Sequence, residues 1–358
     1  KFFSSLLVNG SLAVICLLWT IPTFGLLISS FRDRIDINSS GWWTVFPHKD
    51  WVSVQKIIPA SNVDRYQPMT LAGITATFEQ FQQGINQNGK RYIWIGNRRI
   101  GYLDVEAYTW TASTTFTLEN YKQVLASGNY TVKLANGTTE TDQGADMGSG
   151  FLNSLAVTIP ATVIPIAIAA FAAYGFAWMK FPGRKMLFAL VVGLLVVPLQ
   201  IALIPILKNF VSLHLNGTFL AVWLAHTGFG LPLATYLLFN YISELPRDIF
   251  EAAFVDGASH FKIFMQLVLP LSVPALASFA IFQFLWVWND YLVALVFIGG
   301  ASQNQVLTQR LAGIVGSLGQ NWELLTAAAF LTMIVPLIVF FSLQRYFVRG
   351  LLAGSVKG

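Results

Sequence analysis

Residues 151–178 read FLNSLAVTIPATVIPIAIAAFAAYGFAW, 28 positions without one Asp, Glu, Lys or Arg. At 1.5 Å per residue, a helix of that length exceeds the ~30 Å of hydrocarbon in a bilayer, for which about 20 apolar residues suffice. In water it would have to hide its whole circumference in a core. The rest of the chain cannot supply one, because 55% of its 358 residues are hydrophobic and only 11% are charged. Soluble domains carry about twice that share of charge, and mean hydropathy here is +0.59. Further apolar runs lie near 5–28, 186–207, 218–241, 268–298 and 324–347. The fold class they predict is an all-α polytopic membrane protein with six transmembrane helices.

A large insert of different composition follows the first helix. The expected division is a first helix over 1–29, an inserted mixed α/β domain over 30–149, and a five-helix core over 150–358. The chain starts at Lys1, so preceding sequence is expected to be missing. The run 12–28 is too long for a signal peptide, and no small-x-small cleavage site follows it. Within the insert, Arg91 to Leu103 reads as two short strands around a Gly96-Asn97 turn. Thr117 and Glu119 read as a helix start, and Gly128 to Gly150 as loop.

Charge sets the orientation. Outside 30–149 the basic residues are Lys1, Lys180, Arg184, Lys185, Lys208, Arg247, Lys262, Arg310, Arg345, Arg349 and Lys357. With a cytoplasmic N-terminus, all but Lys208 and Arg310 fall on the cytoplasmic side, as the positive-inside rule requires. Both termini are then cytoplasmic and the insert is extracytoplasmic. The insert carries 11 basic and 11 acidic residues, so the formal +5 belongs to the membrane part. That excess reflects topology and gives no reason to expect a nucleic-acid partner.

The spans contain Pro160, Pro165, Pro198, Pro205, Pro232, Pro274 and Pro336. One such proline merely bends a packing helix, whereas several together suit a protein with a moving cavity. Asp290 is the one acid well inside an apolar run. Two roles are open to it: a structural hydrogen-bond network with Asn289, or a place in the solute path beside Trp286, Trp288 and Tyr291. Gln200, Asn153 and Tyr236 are weaker candidates for the path. His48, His214, His226 and His260 have no metal-ligand spacing, so no metal site is expected, and His226 reads as a packing residue. The single Cys16 sits in an apolar run and forms no internal disulfide. Gly84 to Arg91 matches a phosphate-binding loop except at its last position. Arg91 offers no hydroxyl for magnesium and a strand-like run follows, so this chain is not expected to hydrolyse ATP.

The segment 244–270 reads ELPRDIFEAAFVDGASHFKIFMQLVLP. It predicts two short surface helices, with Pro246 at the first helical position, Gly257 as a left-handed terminator and Ser259 as a cap. Ile249, Phe250, Ala253 and Phe254 share one face of the first. Residues 244–257 are net acidic, which suits a protein partner better than anionic lipid.

Here the chain resembles the permease subunits of bacterial ATP-binding-cassette importers. Glu251, Ala252, Ala253, Gly257, Leu269 and Pro270 match their cytoplasmic-loop signature in register, with Leu267 in place of the usual Ile. Phe116 to Tyr121, Asn153-Ser154-Leu155, Trp288-Asn289-Asp290-Tyr291 and the ending Gly350 to Gly358 are similar to the maltose-type sugar permeases. Pro22 to Leu27 and Ser40 to Thr44 look like the alpha-glucoside branch.

The resemblance implies a non-catalytic permease of the bacterial inner membrane, importing an oligosaccharide or alpha-glucoside. Its implied partners are a second permease, a dimeric cytoplasmic ATPase that holds the ATP and Mg, and an extracytoplasmic sugar-binding protein. Glu251, Ala252, Ala253 and Gly257 would form a coupling helix, and the tail residues Gly354, Ser355, Val356 and Lys357 a second ATPase contact. Two other classes compete. An ion-gradient-driven secondary transporter of a small polar solute would need acids near the midplane and repeated helices. A membrane enzyme would need convergent acids on the insert, where Asp104 and Glu106 are the nearest pair.

Overall fold

A computed structural model describes residues 2–60, 63–133, 139–300, 303–317 and 321–353. Contacts divide the chain into two compact units, Lys1–Thr117 and Leu118–Gly358.

The first unit opens with α1 (Phe2–Ser30), whose apolar side chains, Leu7, Leu17 and Trp19 among them, are exposed as a lipid-facing helix requires. Then follow α2 (Arg34–Ser39), a 3₁₀ turn at Trp42–Val45, β1 (His48–Ile57), β2 (Met69–Leu71), β3 (Ile74–Ala76), α3 (Phe78–Gln83), β4 (Ile85–Gln87), β5 (Lys90–Gly96) and β6 (Gly101–Thr111). Four strands pair antiparallel in the order β1-β6-β5-β4. The two-residue period of a strand sends Trp94 and Leu103 into a core shared with Met69 and Phe81. The expected turn is present: Asn97 Oδ1 accepts from the backbone N–H of Arg99 and Ile100, at 2.9 and 2.7 Å.

On the opposite sheet face Trp51 lies against Tyr108, and the Arg91 guanidinium sits 5.2 Å from the Trp51 ring. Arg91 also pairs with Glu106 at 2.5 Å, while Ser53 Oγ donates to Asp104 at 2.5 Å. The two acids considered for chemistry are therefore engaged within the sheet.

Arg32 ties the end of α1 to α2 and the 3₁₀ turn. It is 1% exposed and donates to the carbonyls of Asp36 and Ser40, at 2.9 and 3.0 Å, and to Ser40 Oγ at 2.6 Å. These bonds close the end of α2. Burial lowers its guanidinium pKa below the ordinary value, and Asp36 opposes that shift. Trp42 packs on α1 at Gly25, where an added Cβ would come within 2.6 Å of the indole. Only glycine leaves room there.

The second unit contains α4 (Glu119–Leu125), a hairpin of β7 (Asn129–Lys133) and β8 (Thr139–Gln143), then α5 (Met147–Trp178), α6 (Arg184–Gly193), α7 (Leu199–Ser212) and α8 (Phe219–Ser243). It continues with α9 (Arg247–Val255), α10 (His260–Ile263), α11 (Leu269–Leu271), α12 (Val273–Asn289), α13 (Leu292–Phe297), α14 (Leu307–Ser317) and α15 (Trp322–Ala353). By contacts, α4 and the hairpin belong with this unit rather than with the sheet. The tract 128–150, expected to be loop, holds the hairpin and the start of α5. Asn and Thr at hairpin positions masked the pairing.

Among the described residues, four helices (α1, α5, α8 and α15) are long and apolar enough to cross a membrane, and six spans result if each bent pair is one. The third and fifth expected spans are the bent pairs. After a 3₁₀ turn to Val196, α6 gives way to α7 at 105°. Pro198 disfavours helical backbone at Val197, whose ψ is 117°. In the fifth, the helix 260–271 meets α12 at 72°, and α12 itself stops at Asn289, before Asp290.

Replacing Arg32 by Met leaves its acceptors without the charged donor. We expect the substitution to destabilise the first unit by roughly 2–3 kcal/mol, measured by thermal unfolding of the purified chain in detergent.

Candidate functional site

The loop from Glu244 to Pro270 folds as its sequence dictates, with one shift. Pro246 is the extended residue just before α9 (ψ 122°), not its first helical residue. Asp248 in the first turn complements the helix dipole. Gly257 ends the helix at φ +75°. Its N–H reaches Phe254 O at 3.0 Å, and that of Ala258 reaches Ala253 O at 3.0 Å. This is the Schellman pattern, which needs the left-handed residue that glycine supplies freely. Ser259 Oγ then accepts from Lys262 N–H and starts α10. Leu269 N–H bonds back five residues, to Phe264 O, giving a π turn over Phe264–Val268. That turn immediately precedes Pro270, which lacks a donor of its own.

One face of α5 seats this loop. Phe171, Tyr174 and Trp178 lie at i, i+3 and i+7 and so point the same way. Phe250 stacks on Trp178, with ring centroids 4.1 Å apart and planes 16° from parallel. His260 Nδ1 lies 2.9 Å from Tyr174 Oη, and Phe264 stacks on Phe171 at 4.1 Å. Trp178 Nε1 donates to Ile242 O at 3.2 Å, joining the end of α8.

Of the face predicted for α9, Phe250 is fully buried and Ala253 partly so, whereas Ile249 and Phe254 are 41% and 39% exposed. Phe250 alone of these stacks on the seat, and Phe254 lies edge-on to His260 with ring centroids 5.0 Å apart. Glu251, Ala252, Gly257 and Pro270 are exposed, and Leu269 is half-buried against the core. Residues 354–357 lie outside the described residues.

The residues considered for a solute path do not converge. Trp288 is 2% exposed, stacks on Phe284 and donates from Nε1 to Thr332 O at 3.0 Å. Asn289 is exposed and donates to Leu285 O at 2.8 Å. Asp290 Oδ1 accepts from Val293 N–H at 2.9 Å at the start of α13, and its Oδ2 lies 3.9 Å from Nε2 of the buried His226. Tyr236 is ten positions beyond His226 on α8, about 15 Å along a helix. Gln200 is exposed on α7. Asn153 donates to the carbonyls of Gln303 and Gln305, at 2.8 and 3.0 Å. Sequence reasoning missed the seat on α5, although its i, i+3, i+7 aromatic spacing is visible. In a helix apolar on every side, no face stands out.

A helical membrane unit with a broken-span architecture and an exposed loop helix seated on its longest span is the class defined by this geometry. The family model described as "Binding-protein-dependent transport system inner membrane component" matches residues 148–352, and the chain belongs to that family. It is 49% identical over 357 residues to the osmoprotective compounds uptake permease protein GgtD of Synechocystis sp., covering 100% of this chain and 94% of that one. It is 48% identical over 389 residues to the alpha-glucoside transport system permease protein AglG of Rhizobium meliloti, covering 98% and 97%. A bacterial ABC transporter involved in alginate import aligns in structure at a TM-score of 0.47 and 20% identity, covering 56% of this chain and 75% of that one.

Two outcomes follow from the geometry. Gly257→Val forces a β-branched residue into the left-handed region and is expected to cost about 1–2 kcal/mol, whereas Gly257→Asn stays close to the parent, as read by thermal unfolding. Asp290→Asn keeps the acceptor for Val293 N–H and is expected to be tolerated. Asp290→Leu loses it, with a drop of roughly 1–2 kcal/mol in the same measurement. A substrate-binding carboxylate would instead lose uptake on Asp290→Asn with the unfolding midpoint unchanged.

Proposed function

We propose that this chain forms half of the translocation pathway of an ATP-driven importer of alpha-linked glycosides or small oligosaccharides. A second permease supplies the other half, and α9 transmits the work of a cytoplasmic ATPase pair that holds the ATP and Mg. The observation that carries this reading is α9 itself. It is a nine-residue helix that buries Phe250 in the seat on α5 and leaves Glu251, Ala252 and the 86%-exposed Val255 free. A helix with one anchored ring and a bare small-residue face is shaped to enter a groove on a partner. Its acids disfavour anionic lipid.

The sugar class is supported by the names of the relatives with near full-length similarity, one an alpha-glucoside permease. The charge distribution supports cytoplasmic termini in the inner membrane and an external insert, which would then face an extracytoplasmic sugar-binding protein. The relatives' names support the ATP-driven reading rather than the ion-gradient alternative.

The test is affinity capture of the chain from its native membrane, with co-purifying subunits identified by mass spectrometry. An ATPase subunit is expected to co-purify with the parent. Its recovery should fall at least several-fold with Glu251→Lys, and further when 351–358 are removed. Full recovery of the ATPase with both changes would refute the docking role of α9 and the tail.

A further inference from the structure

A proline within a helix cannot donate to the carbonyl four residues earlier, and in lipid no water replaces the lost bond. Three of these orphaned carbonyls meet a side-chain donor from another helix. Pro160 frees Ala156 O on α5, which accepts from Trp223 Nε1 of α8 at 3.0 Å. Pro165 frees Ala161 O, which accepts from Gln283 Nε2 of α12 at 3.1 Å. Pro336 frees Thr332 O on α15, which accepts from Trp288 Nε1 of α12 at 3.0 Å.

The match is position by position, and one of these contacts has required room. Gln283 is fully buried and crosses beside α8 at Gly230, where an added Cβ would meet its amide oxygen at 2.7 Å. A glycine on α8 thus clears the way for an amide on α12 to reach α5.

We propose that Trp223, Gln283 and Trp288 are positioning residues for transport, each latching a neighbouring helix at the carbonyl that its proline frees. The bond counts most where proline has removed the helical donor. There the side-chain N–H is the carbonyl's replacement partner, whereas in an unbroken helix the i+4 N–H already satisfies that carbonyl and the side-chain bond adds less. The latches join α8 to α5, α12 to α5, and α12 to α15, so these four helices move as one block while the transporter changes state. This goes beyond the importer reading and needs no knowledge of the sugar.

The test is a double-mutant cycle on the full chain in the assembled transporter. Trp288→Phe keeps a ring and removes the donor, and Pro336→Ala returns an N–H to Thr332 O. Trp288→Phe is expected to lower the unfolding midpoint by about 2–4 °C when Pro336 is present. With Ala at 336 it should lower the midpoint by less than half as much. In proteoliposomes with maltose as the probe, kcat for uptake should fall about fivefold with KM unchanged for Trp288→Phe. It should recover to within about twofold in the double variant.

An equal fall in midpoint in both backgrounds overturns the latch, because it assigns the loss to ring packing. A midpoint cycle that closes as expected, with kcat unmoved, overturns the role in transport. If the parent does not take up maltose, the sugar reading fails, and the midpoint cycle still decides the latch. If Trp288→Phe does not fold, Gln283→Met with Pro165→Ala runs the same cycle at the second latch, with the same criteria.

Discussion

Every backbone N–H and C=O that crosses lipid must find its partner within the protein. Regular helix meets that demand automatically, so the chain crosses as helices, and each proline reopens the account. Two kinds of repair are visible. Where the span must stay continuous, as in α5 and α15, a side chain from a neighbour takes the freed carbonyl. Where continuity is given up, the chain turns: by 105° between α6 and α7, and by 72° after the π turn that precedes Pro270. At Pro160, Pro165 and Pro336 the proline and the helix contact thus go together, because a freed carbonyl in hydrocarbon with no donor costs about as much as a buried polar group without a partner.

This makes α5 the axis of the second unit. At one end, Phe171, Tyr174 and Trp178 hold α9, α10 and the π turn. At the other, Asp146 pairs with Arg310 of α14 at 3.1 Å, and Gly150 leaves space for the stem of that arginine. Between them run 32 residues of helix, about 48 Å at 1.5 Å per residue. Close-packed aromatic contacts transmit displacement rather than absorb it. Packing therefore runs without a break from α9 through Trp178 and Tyr174 along α5, whose two proline-freed carbonyls are met from α8 and α12, to Arg310 at the far end.

Much of this was legible before any coordinates. Length and hydropathy placed the spans, because lipid selects long apolar runs with little regard to detail. The turn at Asn97, the left-handed Gly257 and the cap at Ser259 follow from local backbone chemistry, which acts over four or five residues. What stayed hidden depends on partners distant in sequence. Nothing near Trp288 says that its indole meets Thr332, and nothing near Phe250 says that only one ring of its face will find a seat. Short polar strands are equally opaque: 129–133 and 139–143 pair through backbone bonds that their side chains scarcely advertise. The breaks at Val197 and Ser272 had a visible cause in the adjacent prolines, but a proline does not say whether a neighbour will repair the helix or the chain will turn.

The short strings that carried the family resemblance now have physical meanings, and most of them concern the scaffold. Gly25 and Trp42, from two separate strings, touch each other. Asn153 takes the carbonyls of Gln303 and Gln305, and Ser154 Oγ accepts from Leu307 N–H at 2.8 Å. In the string 288–291, Trp288 latches α15 and Asp290 caps the turn into α13. Each of these bonds ties one segment of backbone to another. A motif occupied in that way tracks how the helices are held, so it can recur whatever the cargo.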